Sequence, residues 1–220
     1  TTVCSASARA GYQFTWGYDR PAPDHANAQL ILLLSAHLES GHYFNPHAQR
    51  IMEAKQSGAR IVVMDPRLSN TASKADLWLP TKPGTEGAVI LAALKILIDE
   101  KRVDRKFIEE WVDWRGYLKA VHPEDVPSVD GFLARFSEQL EQWTPSEAES
   151  YAGLESGSVE KLAAEIARAG SRIAAHCWRS AASGNLGGWQ IARSMAILNA
   201  FTGSLGVEGG TSPAGWNKFK

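Results

Sequence analysis

Cysteine is scarce in this 220-residue chain: Cys4 and Cys177 are the only two, and neither belongs to a C-x-x-C pair. An iron–sulfur cluster, a structural zinc site or a disulfide framework therefore cannot be assembled from this chain alone. Excess charge of one sign is also lacking, with 23 Lys and Arg against 24 Asp and Glu. That balance excludes a basic nucleic-acid binder and a solvating acidic tail. No apolar run approaches the ~20 residues of a membrane helix; the longest, Leu30 to Leu34 and Ala88 to Leu94, read as buried core elements. Glycine fingerprints are missing too. No G-x-G-x-x-G follows the first apolar run, where the chain reads Ser35-Ala36-His37-Leu38-Glu39-Ser40-Gly41, and Gly184 to Gly188 lacks the Lys-Ser/Thr of a P-loop. An ordinary nicotinamide dehydrogenase and a nucleoside triphosphatase are thereby disfavoured. What is present is 44% hydrophobic residues and 9% aromatics, enough apolar material for a packed core and too much for a disordered chain. The opening Thr1-Thr2-Val3-Cys4 has no initiator methionine, basic stretch or cleavage site. It is the start expected of a chain that begins mid-protein, and it leaves the compartment open, periplasmic or cytoplasmic.

Strands and helices alternate along the chain. Leu30 to Leu34 is a continuous apolar run, as in a strand buried on both faces of a parallel sheet, and a helix from about Pro46 to Ser57 follows, ended by Gly58. Arg60 to Met64 is a β-branched second strand ending at Asp65-Pro66-Arg67. A short third strand at Leu77 to Leu79 stops at Pro80, and Thr85 is placed to cap a largely apolar helix from Gly87 to Glu100. Amphipathic helices without a strand pattern fill 104–155. Ser158 to Ala169 is a helix, Arg172 to Trp178 a fourth strand, and Ser183 to Gly188 a glycine-rich loop feeding a last helix from about Trp189 to Phe201. The expected fold is therefore α/β: a doubly wound, mostly parallel, Rossmann-like sheet with helices on both faces plus a helical excursion around 104–155. In such sheets ligands sit at the carboxyl ends of the strands, which directs attention to Ser35 to Ser40, Asp65 to Leu68, Pro80 to Glu86 and Arg179 to Gly188.

Taken singly, these loops leave alternatives open. Asp65 directly after a buried strand stands where dinucleotide-binding folds reach a ribose hydroxyl or base edge, and equally where a surface Asp-Pro turn pairs with Arg67. Pro83-Gly84-Thr85-Glu86 offers unpaired N–H groups and a carboxylate at a helix start, or simply an ordinary cap; a carboxylate there suits guanine, whose N1 and N2 both donate. His25, His37, His42 and His47 match no helical ligand pair and read as surface or capping residues. Cys177 reads as a core thiol. Cys4, followed by Ser5-Ala6-Ser7-Ala8, is either a buried structural cysteine or a thiol that a bulky cofactor can approach.

Read in order, Val3 to Ser7, Ala28 to Ser40, Gly58 to Arg67, Ala75 to Pro80, Pro83 to Glu86 and Leu198 to Gly210 resemble the molybdopterin oxidoreductase family, the DMSO reductase superfamily of molybdenum or tungsten enzymes. The resemblance is weakest between about Val112 and Glu155. It implies two molybdopterin guanine dinucleotides with Mo or W, with Cys4 as catalytic residue and thiolate ligand of the metal, in the Cys-ligated subgroup. A soft thiolate donates charge to the metal and tunes it for two-electron transfer. By the same resemblance Ser35, His37, Glu39 and Ser40 line the pyrophosphate and pterin; Asp65, Arg67, Gly84, Thr85 and Glu86 hold one guanosine; and Ser180 lies on a loop near the metal. Ser5 stands where formate dehydrogenases of the family carry a histidine, and Thr211 to Trp216 lacks their arginine, so formate chemistry is disfavoured. Reduction of a sulfur or arsenic oxyanion, or oxidation of an organic acid, is the least strained expectation.

Residues 1–220 then correspond to a single dinucleotide-binding-type domain, a fragment lacking an N-terminal iron–sulfur domain and a C-terminal pterin-binding domain. It is expected to be inactive alone. Its expected partners are the remainder of its own catalytic subunit and an electron-transfer iron–sulfur subunit, with no nucleic acid and no direct membrane span. The alternatives are a non-catalytic domain of the same ancestry or an unrelated doubly wound nucleotide-binding domain.

Overall fold

The computed structural model describes residues 6–36, 46–177, 181–182 and 184–214. Its organising strand is β2 (Leu30–Leu34), whose five residues are all buried. On one side β2 pairs in parallel with β3 (Arg60–Met64), and β3 in turn with β4 (Leu77–Leu79); on the other side it pairs in parallel with β5 (Ile173–Cys177). The sheet order is thus β4-β3-β2-β5. The chain steps outward from β2, then returns across the sheet to enter β5, so the carboxyl ends of β2 and β5 diverge at the switch point. A second, two-stranded antiparallel sheet joins β1 (Arg20–Pro23) to β6 (Thr211–Ala214).

Side chains alternate between the two faces of the parallel sheet, because successive strand residues point to opposite sides. Leu30, Leu32, Leu34, Val62, Met64 and Ala175 face the larger core with the buried residues of α3 (Glu86–Asp99), α8 (Ser158–Ala169) and α9 (Gly188–Phe201). Ile31, Leu33, Ile61, Val63 and Ala174 face a smaller core with Ile51 and Ala54 of α2 (His47–Gln56). Helices therefore cover both faces, as the doubly wound reading requires. Each fully buried Leu or Ile contributes about 1.5–3 kcal/mol of transfer free energy, so the sheet and the helices packed on it share one stabilising core.

The helical excursion consists of α4 (Arg105–Trp111), α5 (Trp114–Val121), α6 (Val129–Gln139) and α7 (Pro145–Ala152). Each begins at a side-chain cap: Asp104, Asp113, Ser128 and Thr144, the last forming a reciprocal capping box with Glu147.

Two elements depart from the sequence reading. The segment after Ser5 is a helix, α1 (Ala6–Trp16), packed against α9 so closely that a Cβ on Gly11 would lie 2.2 Å from the Trp189 carbonyl oxygen. The β1–β6 pair was not expected either, since Pro21, Pro23 and Pro213 disfavour interior strands; here they occupy a short two-stranded ribbon. Among the described residues no helix is long and apolar enough to cross a membrane.

Candidate functional site

The described site loops lie at the carboxyl edge of the sheet. β2 ends at Ser35, which takes a left-handed conformation (φ 48°) and donates its N–H to the Met64 carbonyl at 2.8 Å. A non-glycine residue there carries strain of about 1–2 kcal/mol. Directly beside it, β3 ends at the buried Asp65. Its Oδ1 accepts the Arg67 N–H at 2.9 Å, folding the chain tightly around Pro66, and its carbonyl accepts the Trp78 indole N–H at 2.8 Å. The exposed Arg67 guanidinium makes no ion pair among the described residues, so the surface-pair reading of Asp65-Pro66-Arg67 does not hold.

After β4 the chain turns through Gly84 (φ 90°), whose N–H donates to Glu86 Oε2 at 2.9 Å. A side chain at Gly84 would press on Asn185, with its Cβ 3.0 Å from Asn185 Cγ and Oδ1. Position 84 thus needs glycine for both its dihedral and the close approach of the glycine-rich loop. Thr85 precedes α3 but does not cap it. Its hydroxyl donates to the Lys82 carbonyl at 2.6 Å, so the expected side-chain cap is corrected to a turn-closing bond. Glu86, in the first turn of α3, is 0% exposed, and its Oε1 has no hydrogen-bond partner among the described residues. Burial, then the neighbouring charge of Asp65, push its carboxyl above the usual range, against the pull of its own and the Gly84 N–H groups. Thr81, also 0% exposed, likewise has an unpartnered Oγ1.

Cys177, at the end of β5, is buried, and its thiol is pushed up to about 12 by burial and then by Glu86. It stays protonated and serves as a core thiol, as its sequence context indicated. The histidine reading is corrected in part. His25 is 3% exposed rather than on the surface, and its Nδ1 stands 3.2 Å from Nδ1 of the half-buried His47, with the rings edge to face. His37 and His42 lie outside the described residues.

The structure thus brings Asp65, Gly84 and Glu86 to one edge, with Ser35, Arg67 and Thr85 at strand and helix termini on the same side. Cys4, His37, Glu39, Ser40 and Ser180 lie outside the described residues. Sequence reasoning missed Asn185 and Thr81; the first stood between two glycines on a loop already suspected, whereas nothing in sequence signals that the Thr81 hydroxyl is buried and unpaired.

A parallel sheet with both faces covered, carrying a buried, under-satisfied acid at the carboxyl edge, places this chain among doubly wound α/β domains with a polar ligand edge. More narrowly, the chain belongs to the molybdopterin oxidoreductase family, whose model matches residues 2–217. It is 28% identical to dimethyl sulfoxide reductase DmsA of Haemophilus influenzae over 90% of this chain and 25% of that one. It is 26% identical to the arsenate respiratory reductase molybdopterin-containing subunit ArrA of Chrysiogenes arsenatis, over 96% and 25%. Acetylene hydratase from Pelobacter acetylenicus shares the fold, with a TM-score of 0.74 at 22% identity over 95% of this chain and 26% of that structure. The chain thus spans about a quarter of the length of these relatives.

Proposed function

We propose that this chain is the molybdopterin guanine dinucleotide-binding domain of a two-electron molybdenum or tungsten oxidoreductase, with Cys4 as the thiolate ligand of the metal. The observation that carries the reading is Glu86, a buried carboxyl group two residues after Gly84 whose Oε1 has no partner among the described residues, beside Asp65 at the carboxyl edge of a sheet of this family.

The donor set fits the group. Guanine presents N1–H and N2–H₂ on one edge, and two carboxyl groups, Asp65 and Glu86, are the complementary acceptors. Meeting those donors relieves the cost of an unmade hydrogen bond at Glu86, about 1–3 kcal/mol for a buried polar group. Arg67 supplies an uncommitted cation for ribose or phosphate oxygens, and Gly84 with Thr85 supplies backbone at a helix start. By the same reading Ser35, His37, Glu39 and Ser40 would hold the pyrophosphate and pterin, and Ser180 would belong to the loop nearest the metal. When bound, the cofactor supplies the two-electron exchange; the chain's own residues bind, orient and exclude water.

For the substrate, relatives named for dimethyl sulfoxide and arsenate support oxygen-atom removal from a sulfur or arsenic oxide: the oxide takes two electrons and two protons and yields the reduced compound and water. Oxidation of an organic acid is the second class consistent with a thiolate-ligated centre. For the reduction, electrons would arrive through an iron–sulfur cluster on a preceding segment and an iron–sulfur partner subunit; for the oxidation they would leave by the same route, and a further pterin-binding domain would complete the subunit.

The test is elemental analysis for molybdenum and tungsten, with identification of acid-released nucleotide, on native full-length protein containing this sequence. Either metal together with guanine nucleotide is the expected result. Absence of both in protein isolated without oxidative loss overturns the reading and leaves a non-catalytic or unrelated nucleotide-binding domain.

A further inference from the structure

The amino edge of the sheet, opposite the proposed cofactor loops, carries a cavity that the proposed function leaves unused. β2, β3 and β5 all begin there, and the length of these strands sets it about 15 Å from the carboxyl edge. The cavity measures about 420 Å³, within the range of small-molecule sites. Its wall is formed by 26–29 ahead of β2, by 57–59 ahead of β3, and by Arg168 and Arg172 on either side of the turn from α8 into β5.

The charge on that wall is one-sided: two guanidinium groups line it and no Asp or Glu does. The acids around it are already engaged. Glu165 is shared between Arg60 and Arg168, and Asp24 accepts from the Asn27 amide and the Gly209 N–H. Arg172 makes no ion pair among the described residues.

Both arginines are held in place. Arg172 Nη2 donates to the Asn27 carbonyl, and Arg168 Nη2 to the Gln29 carbonyl at 3.1 Å. A Cβ on Gly209 would stand 3.0 Å from Arg172 Nε, so the 207–210 loop packs over that side of the guanidinium. Capping a carbonyl takes one donor from each arginine, and a guanidinium has five. Neither Nη1 group has a partner among the described residues. A purely capping role therefore leaves both Nη1 groups and the charge of Arg172 unanswered, and a partly buried charge favours a site that an opposite charge can reach.

We propose that this cavity binds a phosphate-type oxyanion, free or carried on a small molecule, between Arg168 and Arg172, with Gln29 and Ser57 as further polar groups of its wall. Oxyanions match guanidinium forks in shape as well as charge, and forks already fixed lose little freedom on binding. The site is separate from the cofactor edge and does not depend on Cys4 as metal ligand.

The test is isothermal titration of the full-length holoenzyme, at constant ionic strength, with inorganic phosphate and separately with adenosine monophosphate. A dissociation constant below about 1 mM is expected for at least one probe. Arg168→Gln should weaken it at least tenfold. Because that change also removes a carbonyl cap, Gln29→Glu is the second variant: it keeps both arginines and brings a carboxylate onto the wall. It should weaken binding at least tenfold, with a melting temperature in phosphate-free buffer no lower than the parent's. Metal content and kcat should stay at parent values in both. Equal affinities identify a free oxyanion as the ligand, and tighter adenosine monophosphate a phosphate on a larger body; either supports the site. No binding of either probe by the parent, or parent-like binding in both variants, overturns it.

Discussion

The helical excursion and the carboxyl edge of the sheet draw on the same short polar residues, and they use them in opposite ways. In α4 to α7 every helix start is closed by its own Asp, Ser or Thr, and no buried side-chain polar atom from 104 to 155 lacks a partner. At the carboxyl edge Thr85 turns its hydroxyl away from the helix it precedes, Glu86 and Thr81 keep buried oxygens without partners among the described residues, and Ser35 holds a left-handed backbone. Sequence and structure agree with each other in the excursion and conflict at the edge. Local conflict of this kind persists where the surroundings enforce it and a ligand resolves it.

The sharpest way to break the comparison is Cys4→Ala in the full-length enzyme. Turnover should fall to background with metal content, while expression and solubility stay near the parent's, because on the proposed reading Cys4 contributes to the metal rather than to the core. A large loss of solubility would put Cys4 with the core thiol Cys177 instead. Next comes Glu86→Gln, which keeps the shape and removes the charge. A Glu raised by burial favours the protonated form in the folded state, so its contribution to stability is full below the unfolded pKa and is lost as pH rises through the folded one. Above that range the buried acid therefore costs stability until donors meet it. Glu86→Gln should raise the melting temperature of the cofactor-free protein by roughly 2–4 °C, the equivalent of about 1 kcal/mol, and weaken guanine nucleotide retention at least tenfold, the loss of about 1.4 kcal/mol. A variant that is both less stable and fully loaded would show Glu86 to be a structural acid.

The His25–His47 pair asks whether burial of a titratable group is enough to mark a ligand site. His25 is lowered to about 4, by burial first and then by the charge of His47, against Asp24; His47 is lowered by burial. Both bind fewer protons folded than unfolded, so stability is full above about 6.5 and declines as pH falls toward 4. The decline attributable to His25 is at most about 3 kcal/mol. Urea midpoints at pH 7 and 4.5 should converge in His25→Gln relative to the parent, with nucleotide retention at pH 7 unaltered. Equal pH sensitivity in the variant would remove the pair from the acid limb.

Which parts were legible follows from the range of the forces involved. Leu30 to Leu34, Arg60 to Met64 and Ile173 to Cys177 announced themselves because a strand buried on both faces must be apolar throughout. The loops after them followed from topology alone, so Asp65, Gly84 and Glu86 could be singled out. Helix α1 could not, since Ala6 to Trp16 has no clear apolar stripe and owes its helix to contact with α9 through Gly11, far away in sequence. Proline hid the β1–β6 ribbon, and the meeting of His25 with His47 across 22 residues is tertiary. The unpaired oxygen of Glu86 is likewise a product of packing; sequence named the residue but not its state.

The mildest change sharpens the comparison from the well-satisfied side. Thr144 accepts the Glu147 N–H at 3.2 Å, Glu147 reaches back to the Thr144 N–H at 3.4 Å and hydroxyl at 2.8 Å, and Pro145 opens the helix. Thr144→Ala removes the two hydroxyl bonds, the one accepted from the Glu147 N–H and the one donated to Glu147 Oε2, and leaves the Thr144 N–H bond, at a cost of about 1 kcal/mol at an exposed helix start. In the full-length protein this should appear as about fivefold faster hydrogen exchange confined to the amides of α7, since 1 kcal/mol is a factor of roughly five in the opening equilibrium. Metal, nucleotide and kcat should stay at parent values, because α7 packs on α3 and α8 and meets the site's turn through the Lys82 N–H bond to the Ala152 carbonyl. If activity falls with α7 exchange, that bond transmits cap stability to the Gly84–Glu86 turn, and the excursion is then part of the site rather than its satisfied counterpart.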